Sequence, residues 1–191
     1  MAKNLFVNCC IRPRSRTLVL AKYLLENLGE DFDEINVADG GFKPLDADLL
    51  EKREEKSEIE DFSDDMFNAA KQFAAAETIV IAAPLWDLSF PSYLKIYLEN
   101  VLVTGLTFTY EKGVPKGLCK AKRLYYVTTA GGDISLDFGF SYVKAIAENF
   151  LGIDKVRCFS AEGLDKNGND VEKIMREAKE KIRSYIEGAE K

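Results

Sequence analysis

Thr78-Ile79-Val80-Ile81-Ala82-Ala83-Pro84-Leu85-Trp86-Asp87-Leu88-Ser89-Phe90-Pro91 runs from an apolar, β-branched stretch into an aromatic loop bracketed by prolines. A helical pattern begins just beyond it, near Tyr93. The stretch reads as a buried strand followed by a rigid loop at the carboxyl edge of a sheet, where open parallel sheets bind ligands. Pro84 and Pro91 fix φ, so the loop can hold backbone N–H and C=O groups against a planar ligand. A hydrophobic connection in which Trp86 caps the core has the same composition, so the rest of the chain must decide.

Working outward, four more short apolar runs flank this one: Leu5-Phe6-Val7, Phe32 to Val37, Leu124 to Val127 and Val156 to Phe159. Helical patterns lie between them. Leu18, Ala21, Leu24, Leu25 and Leu28 recur at helical spacing before Gly29. Asp61 to Ala76 follows with Ser63 as the expected N-cap, then Tyr93 to Val103, Phe140 to Leu151 and Val171 to Ile186. Strict β/α alternation predicts an α/β three-layer sandwich, a five-stranded parallel sheet with helices on both faces. Five units match the flavodoxin-like strand order 2-1-3-4-5. Thr107 to Tyr110 alternates with period two and predicts a small β-hairpin inserted before the fourth strand. The charge run Leu49 to Glu60 reads as a solvated helix or loop. No linker divides the chain, so residues 1–191 are expected to form one domain.

Composition narrows the function. A net charge of −6 argues against a nucleic-acid binder. No apolar stretch is long enough to span a bilayer, and no signal peptide is evident, so a cytoplasmic protein is expected. The chain has no histidine, and its four cysteines show no metal-ligand spacing, so a metal site is not expected. Cys9 and Cys10 read as small buried residues rather than a strained vicinal disulfide.

Two further strand ends carry unusual loops. Cys9-Cys10-Ile11-Arg12-Pro13-Arg14-Ser15-Arg16-Thr17 leads into the first helix. Helix N-terminal N–H groups, two hydroxyls and three guanidinium groups suit a phosphate, although Ser15 as a plain cap and solvated arginines would account for the same residues. Neither a GxxxxGK[ST] nor a GxGxxG pattern is present. Thr128-Thr129-Ala130-Gly131-Gly132-Asp133 follows the fourth strand, and its paired glycines permit close backbone approach. The loops after strands one, three and four converge in this topology. Together they describe a mononucleotide site with a phosphate end and a flat aromatic side, best suited to flavin mononucleotide (FMN).

These blocks, with Gly105 to Tyr110 and Gly113 to Leu118 between them, make the chain similar to the FMN-dependent NAD(P)H:quinone oxidoreductases and azoreductases of the flavodoxin-like superfamily. The resemblance covers most of residues 1–132. It implies a homodimer with FMN near the subunit interface, and the many apolar residues of the Tyr93 to Val103 helix (Tyr93, Leu94, Tyr97, Leu98, Leu102) fit an interface helix. It also implies that Ser15, Arg16 and Thr17 hold the phosphate, with Cys10 as a further contact. Pro84, Leu85, Trp86, Asp87 and Leu88 would line the isoalloxazine ring, with Thr129, Ala130, Gly131 and Gly132 at its other edge. The family usually has Asn where this chain has Asp87. NADH or NADPH would serve as reductant and quinone or azo compounds as acceptors, in alternating half-reactions on the flavin without a catalytic side chain. Tyr110, Tyr126 or solvent would supply protons. The competing expectations are a flavodoxin-like electron carrier, an FMN reductase, or an interaction module of the same fold without flavin.

Overall fold

Parallel pairing of five strands dominates the computed structural model, which describes residues 3–189. The strands are β1 (Asn4–Asn8), β2 (Phe32–Asn36), β3 (Thr78–Ala82), β6 (Arg123–Thr129) and β7 (Lys155–Ala161), in the order β2-β1-β3-β6-β7. Counting sheet strands alone, this is the expected 2-1-3-4-5. The short strands β4 (Phe108–Glu111) and β5 (Val114–Gly117) pair antiparallel as a separate hairpin. Its turn residues, Lys112 and Gly113, both have positive φ, as a tight hairpin requires.

Side-chain alternation along the strands divides the core in two. Leu5, Val7, Ile79, Ile81, Leu124 and Tyr126 face one layer with Phe73, Leu94, Tyr97 and Leu98. Those last four come from α3 (Asn68–Ala75) and α4 (Ser92–Val101). Phe6, Val80, Tyr125, Val127 and Phe159 face the other, with Leu20 and Leu24 of α1 (Arg16–Leu28) and Ala178 and Ile182 of α6 (Val171–Ala189). β1 and β3 are buried along their whole length, which is why Leu5–Val7 and Ile79–Ala82 within them read as unbroken apolar runs.

The caps set the boundaries. Ser15 Oγ accepts from Leu18 N–H at 3.2 Å, and Gly29 (φ +63°) ends α1 as expected. Ser63 is not a cap. Asp64 takes that role, its side chain accepting from Met66 N–H ahead of a 3₁₀ turn (Asp65–Phe67) that leads into α3. The Leu49–Glu60 charge run forms α2 (Ala47–Glu58), which buries none of its residues. It is tethered by Arg53, whose guanidinium donates to the Glu99 carbonyl at 2.8 Å, and by Lys56, which meets Asp61 at 3.0 Å. Bonds from Ser63 and Lys56 pull the Asp61 carboxyl down to about 2. α5 (Phe140–Ile146) passes into a π-helical turn (Ala147–Leu151), a break that sequence periodicity does not reveal.

That π turn carries the hairpin. A Cβ on Gly117 would lie 2.1 Å from the Leu151 carbonyl carbon, so backbone meets backbone there. Gly117→Ala is expected to lower unfolding stability by about 2 kcal/mol or more, because neither chain segment can yield cheaply. Urea denaturation of the variant beside the unmodified protein checks this, and an unchanged midpoint would contradict the packing.

Candidate functional site

The carboxyl ends of β1, β3, β6 and β7 meet around a cleft of about 210 Å³. On one wall, α1 opens with Ser15, Arg16 and Thr17. The first N–H groups of a helix have no intrahelical acceptor, and here Ser15 Oγ takes only that of Leu18. Arg16 and Thr17 therefore present backbone donors at the positive end of the helix dipole. Thr17 Oγ1 lies 2.6 Å from Thr129 Oγ1, tying the start of α1 to the end of β6.

The opposite wall is the loop after β3. Trp86 and Ser89 exchange both backbone hydrogen bonds at 2.8 Å, and the residues between them, Asp87 (φ +50°) and Leu88 (φ +68°), are both left-handed. This is a two-residue turn with positive φ at each central position, a shape that favours Asn or Asp first and glycine second. Asp87 meets the first preference. Leu88 does not, and its branched side chain in the left-handed region stores strain of the kind found at ligand-holding loops. The turn is buttressed by Leu85 N–H on the Thr129 carbonyl (3.1 Å) and by Phe138 N–H on the Leu88 carbonyl (3.0 Å).

The β6 loop is laced to the β7 loop by three backbone bonds: Gly163 N–H to the Gly132 carbonyl, Leu164 N–H to Ala130, and Asp165 N–H to Gly131. A Cβ on Gly131 would sit 2.4 Å from Asp165 Oδ2, so glycine is needed for this close approach. Leu164 and Asp165 line the cleft. The Ala161-Glu162-Gly163-Leu164-Asp165 segment was not among the sequence candidates. Strand order alone could have found it, since the end of the fifth strand lies beside that of the fourth.

Ser15, Arg16, Thr17, Pro84, Leu85, Trp86, Thr129, Ala130 and Gly131 line the cleft together with Ile11, Arg12 and Arg14. Asp87, Leu88 and Gly132 lie beside it on its exposed rim. Cys10 sits behind the phosphate end, buried, with burial pushing its thiol up to about 11 against an opposing hydrogen bond from Ser15. Burial likewise raises Cys9, and both are free thiols. At neutral pH neither is a thiolate, which agrees with a packing role.

Two sequence expectations are corrected. The three arginines do not all stand free for an anion. Arg16 Nη1 donates to the Leu164 carbonyl at 2.9 Å and Nη2 to Asp165 at 2.6 Å, while Arg12 lies over the Trp86 ring with Cζ 5.6 Å from its centroid. Leu94, Tyr97 and Leu98 of α4 are buried within the chain's own core and advertise no interface, whereas Tyr93 is exposed. Of the two tyrosines expected near the reacting centre, Tyr126 is sealed in the core with its hydroxyl unpartnered and its pKa raised by that burial. Tyr110 is on the hairpin, packed edge-on against Phe108, and is not part of the cleft.

What the cleft can do chemically is bind an anionic group at its helix end and a flat ring along its Trp86 side. Its volume is below the roughly 300 Å³ at which ligand sites usually begin, so a nucleotide-sized ligand must project over the Trp86–Ser89 rim.

Comparison with known proteins agrees. Residues 2–186 match the family described as having a flavodoxin-like fold. The FMN-dependent NADH:quinone oxidoreductase of Lachnoclostridium phytofermentans is 34% identical over 191 residues, covering 95% of this chain and 96% of that protein. A second such protein from Clostridium acetobutylicum is 42% identical over 120 residues, 60% of each chain. Among solved structures, an FMN-dependent NADH-azoreductase from Bacillus anthracis in complex with FMN superposes with a TM-score of 0.82 at 25% identity, covering 99% of both chains.

The strained rim makes a direct test available. Leu88→Gly removes the left-handed penalty while giving up a half-exposed side chain, so stability is expected to rise by about 0.5–1 kcal/mol. Thermal denaturation measures it. A clear fall in stability would mean that Leu88 contributes packing that outweighs its strain.

Proposed function

The chain belongs to the FMN-dependent NADH:quinone oxidoreductase family of flavodoxin-like proteins, and we propose that it binds FMN noncovalently in this cleft and passes electrons from NADH or NADPH to quinone or azo acceptors. The observation that carries the reading is the pairing, in one cleft, of a helix N-terminus bearing unpaired donors with a stiff, aromatic turn in strained backbone geometry. FMN, when bound, supplies reversible electron transfer between a nicotinamide and an acceptor. The rest of the work belongs to the chain. The Ser15 hydroxyl and the backbone N–H groups of Arg16 and Thr17 hold the phosphate. Pro84, Leu85, Trp86, Asp87 and Leu88 fix the plane of the ring, and Thr129, Ala130, Gly131 and Gly132 bound its other edge. Electrostatic preorganisation of this kind needs donors that are fixed before the ligand arrives, and the bond network between the loops fixes them.

No side chain in the cleft serves as nucleophile or proton donor in this reading. Protons come from solvent, since Tyr126 is sealed in the core. Reductant and acceptor are both flat and use the same mouth in turn, which makes the kinetics ping-pong. Because stacking demands few polar contacts, acceptor choice is broad. An electron carrier of the same fold would bind FMN yet leave NADH unoxidised, and that difference gives the test. Titration with FMN, followed by quenching of flavin fluorescence, should saturate. Ser15→Ala should weaken it roughly tenfold or more through a lost phosphate contact. NADH added anaerobically to the FMN-loaded protein should bleach its colour, and a quinone should restore it. Colour that persists with either nicotinamide would leave only the carrier reading.

The chain works as one domain and as a homodimer in this reading, in the cytoplasm where nicotinamides are available. Among the described residues no helix is long and apolar enough to cross a membrane. Support for the dimer comes from the rim, where Leu88, Leu136 and Phe138 are 48%, 54% and 59% exposed and adjoin through the Phe138–Leu88 backbone bond. Apolar side chains gathered at a ligand mouth suit coverage by a second copy. Sedimentation at micromolar concentration is expected to show a dimer, and Phe138→Asp to shift it toward monomer. A monomeric unmodified protein that binds FMN tightly would exclude the dimer.

A further inference from the structure

We propose that Arg14 is the residue that reads the phosphate of the bound flavin, and that Arg12 and Arg16 are positioning residues that hold the walls of the cleft. The assignment rests on the FMN reading above and divides three neighbouring arginines by what each guanidinium already touches.

Arg16 is engaged through both of its terminal nitrogens. It donates to the Leu164 carbonyl and to the Asp165 carboxylate, so its charge is balanced locally. Asp165 cannot easily follow it elsewhere, because its backbone N–H is bonded to the Gly131 carbonyl and its side chain fills the space above Gly131. Turning Arg16 onto a phosphate would break the ion pair and leave the Leu164 carbonyl without this donor, a cost that the new contact must first recover. Arg12 is engaged in another way. Its guanidinium lies over the Trp86 ring, linking the β1 loop to the opposite wall, and turning it deeper onto an anion would give up that contact.

Arg14 also lines the cleft and is exposed, and among the described residues no ion pair or hydrogen bond engages its side chain. It directly precedes Ser15, so its guanidinium, the Ser15 hydroxyl and the first N–H groups of α1 come from consecutive residues. A phosphate monoester carries nearly two negative charges at neutral pH, whereas a helix N-terminus offers about half a positive one. One free guanidinium able to bond two phosphate oxygens at once supplies most of the difference. Arg14 therefore determines specificity for FMN over riboflavin, which has the same ring and ribityl chain without the phosphate.

Dissociation constants for FMN and for riboflavin, measured by fluorescence on the purified protein and its variants, test the division. Arg14→Ala is expected to weaken FMN roughly tenfold or more and leave riboflavin unchanged, with Arg14→Lys recovering part of the loss. Arg12→Ala and Arg16→Ala are expected to weaken both ligands by a common factor and preserve the preference. A variant with a reduced folded fraction affects both ligands alike, so the ratio still reports the phosphate contact. Loss of the preference in Arg16→Ala with its retention in Arg14→Ala overturns the assignment. Equal binding of both ligands by the unmodified protein overturns it too, while leaving the flavin site standing. Binding of neither ligand overturns the FMN reading and this assignment together.

Discussion

Parallel hydrogen bonding along β1, β3, β6 and β7 aligns their carboxyl ends, and every group in the cleft takes its place from that alignment. The ladders continue past the strands: Cys9 N–H bonds the Ala82 carbonyl, Ala83 the Val127 carbonyl, Leu85 the Thr129 carbonyl and Ala130 the Ala161 carbonyl. The chain therefore leaves the sheet still paired, and loops that would otherwise wander begin from fixed points. Thr17 and Thr129, both buried and with their hydroxyls 2.6 Å apart, extend the same control to the first turn of α1. Sheet geometry is thus converted into the position of a helix terminus, and the helix terminus into a place for an anion.

Much of this was legible in the sequence because it depends on near neighbours. The apolar runs, Ser15 as a cap, Gly29 as a stop and the Thr107–Tyr110 hairpin all follow from local rules. What escaped depends on distant ones. Arg16 finds its partners 148 and 149 residues away, so nothing near it in sequence could show that its guanidinium was committed. Ser63 and Asp64 are adjacent and both able to cap, and the choice fell to the one whose side chain reaches Met66 N–H. The resemblance implies a dimer, and the apolar residues of α4, many for one surface helix, fit its interface. Here, instead, the apolar stripe is wide, since α4 packs against both the sheet and α3 and carries the ring of Tyr97 inside that joint.

Asp87 joins local conformation to function. The resemblance to relatives with asparagine at this position raises the question of what a carboxylate does there. Its backbone answers first: φ of +50° is tolerated by Asn and Asp better than by most residues, so the exchange preserves the turn. What changes is the side chain, which loses an amide donor and gains a charge on the exposed rim. The adjacent Leu88 shows that the turn is held by its surroundings rather than by its own preferences. Two bonds inside the turn and one from Phe138 impose a geometry that leucine would not choose. On the proposed reading, stiffness at this point would keep one side of a flat ligand fixed while the other stays open.

The absence of histidine from the chain then becomes part of the chemistry. Arginines and aspartates surround the cleft, and the buried Cys10 thiol behind it is pushed up to about 11, so it stays protonated at neutral pH. A histidine beside the ring would give a positioned proton donor, but its own titration would alter the field that holds the ring. On the proposed reading, protons come instead from the water that an open rim admits. On that reading, the openness that would admit flat acceptors of many shapes would also make an internal acid unnecessary, so breadth of substrate and lack of a catalytic side chain would follow from one architectural choice.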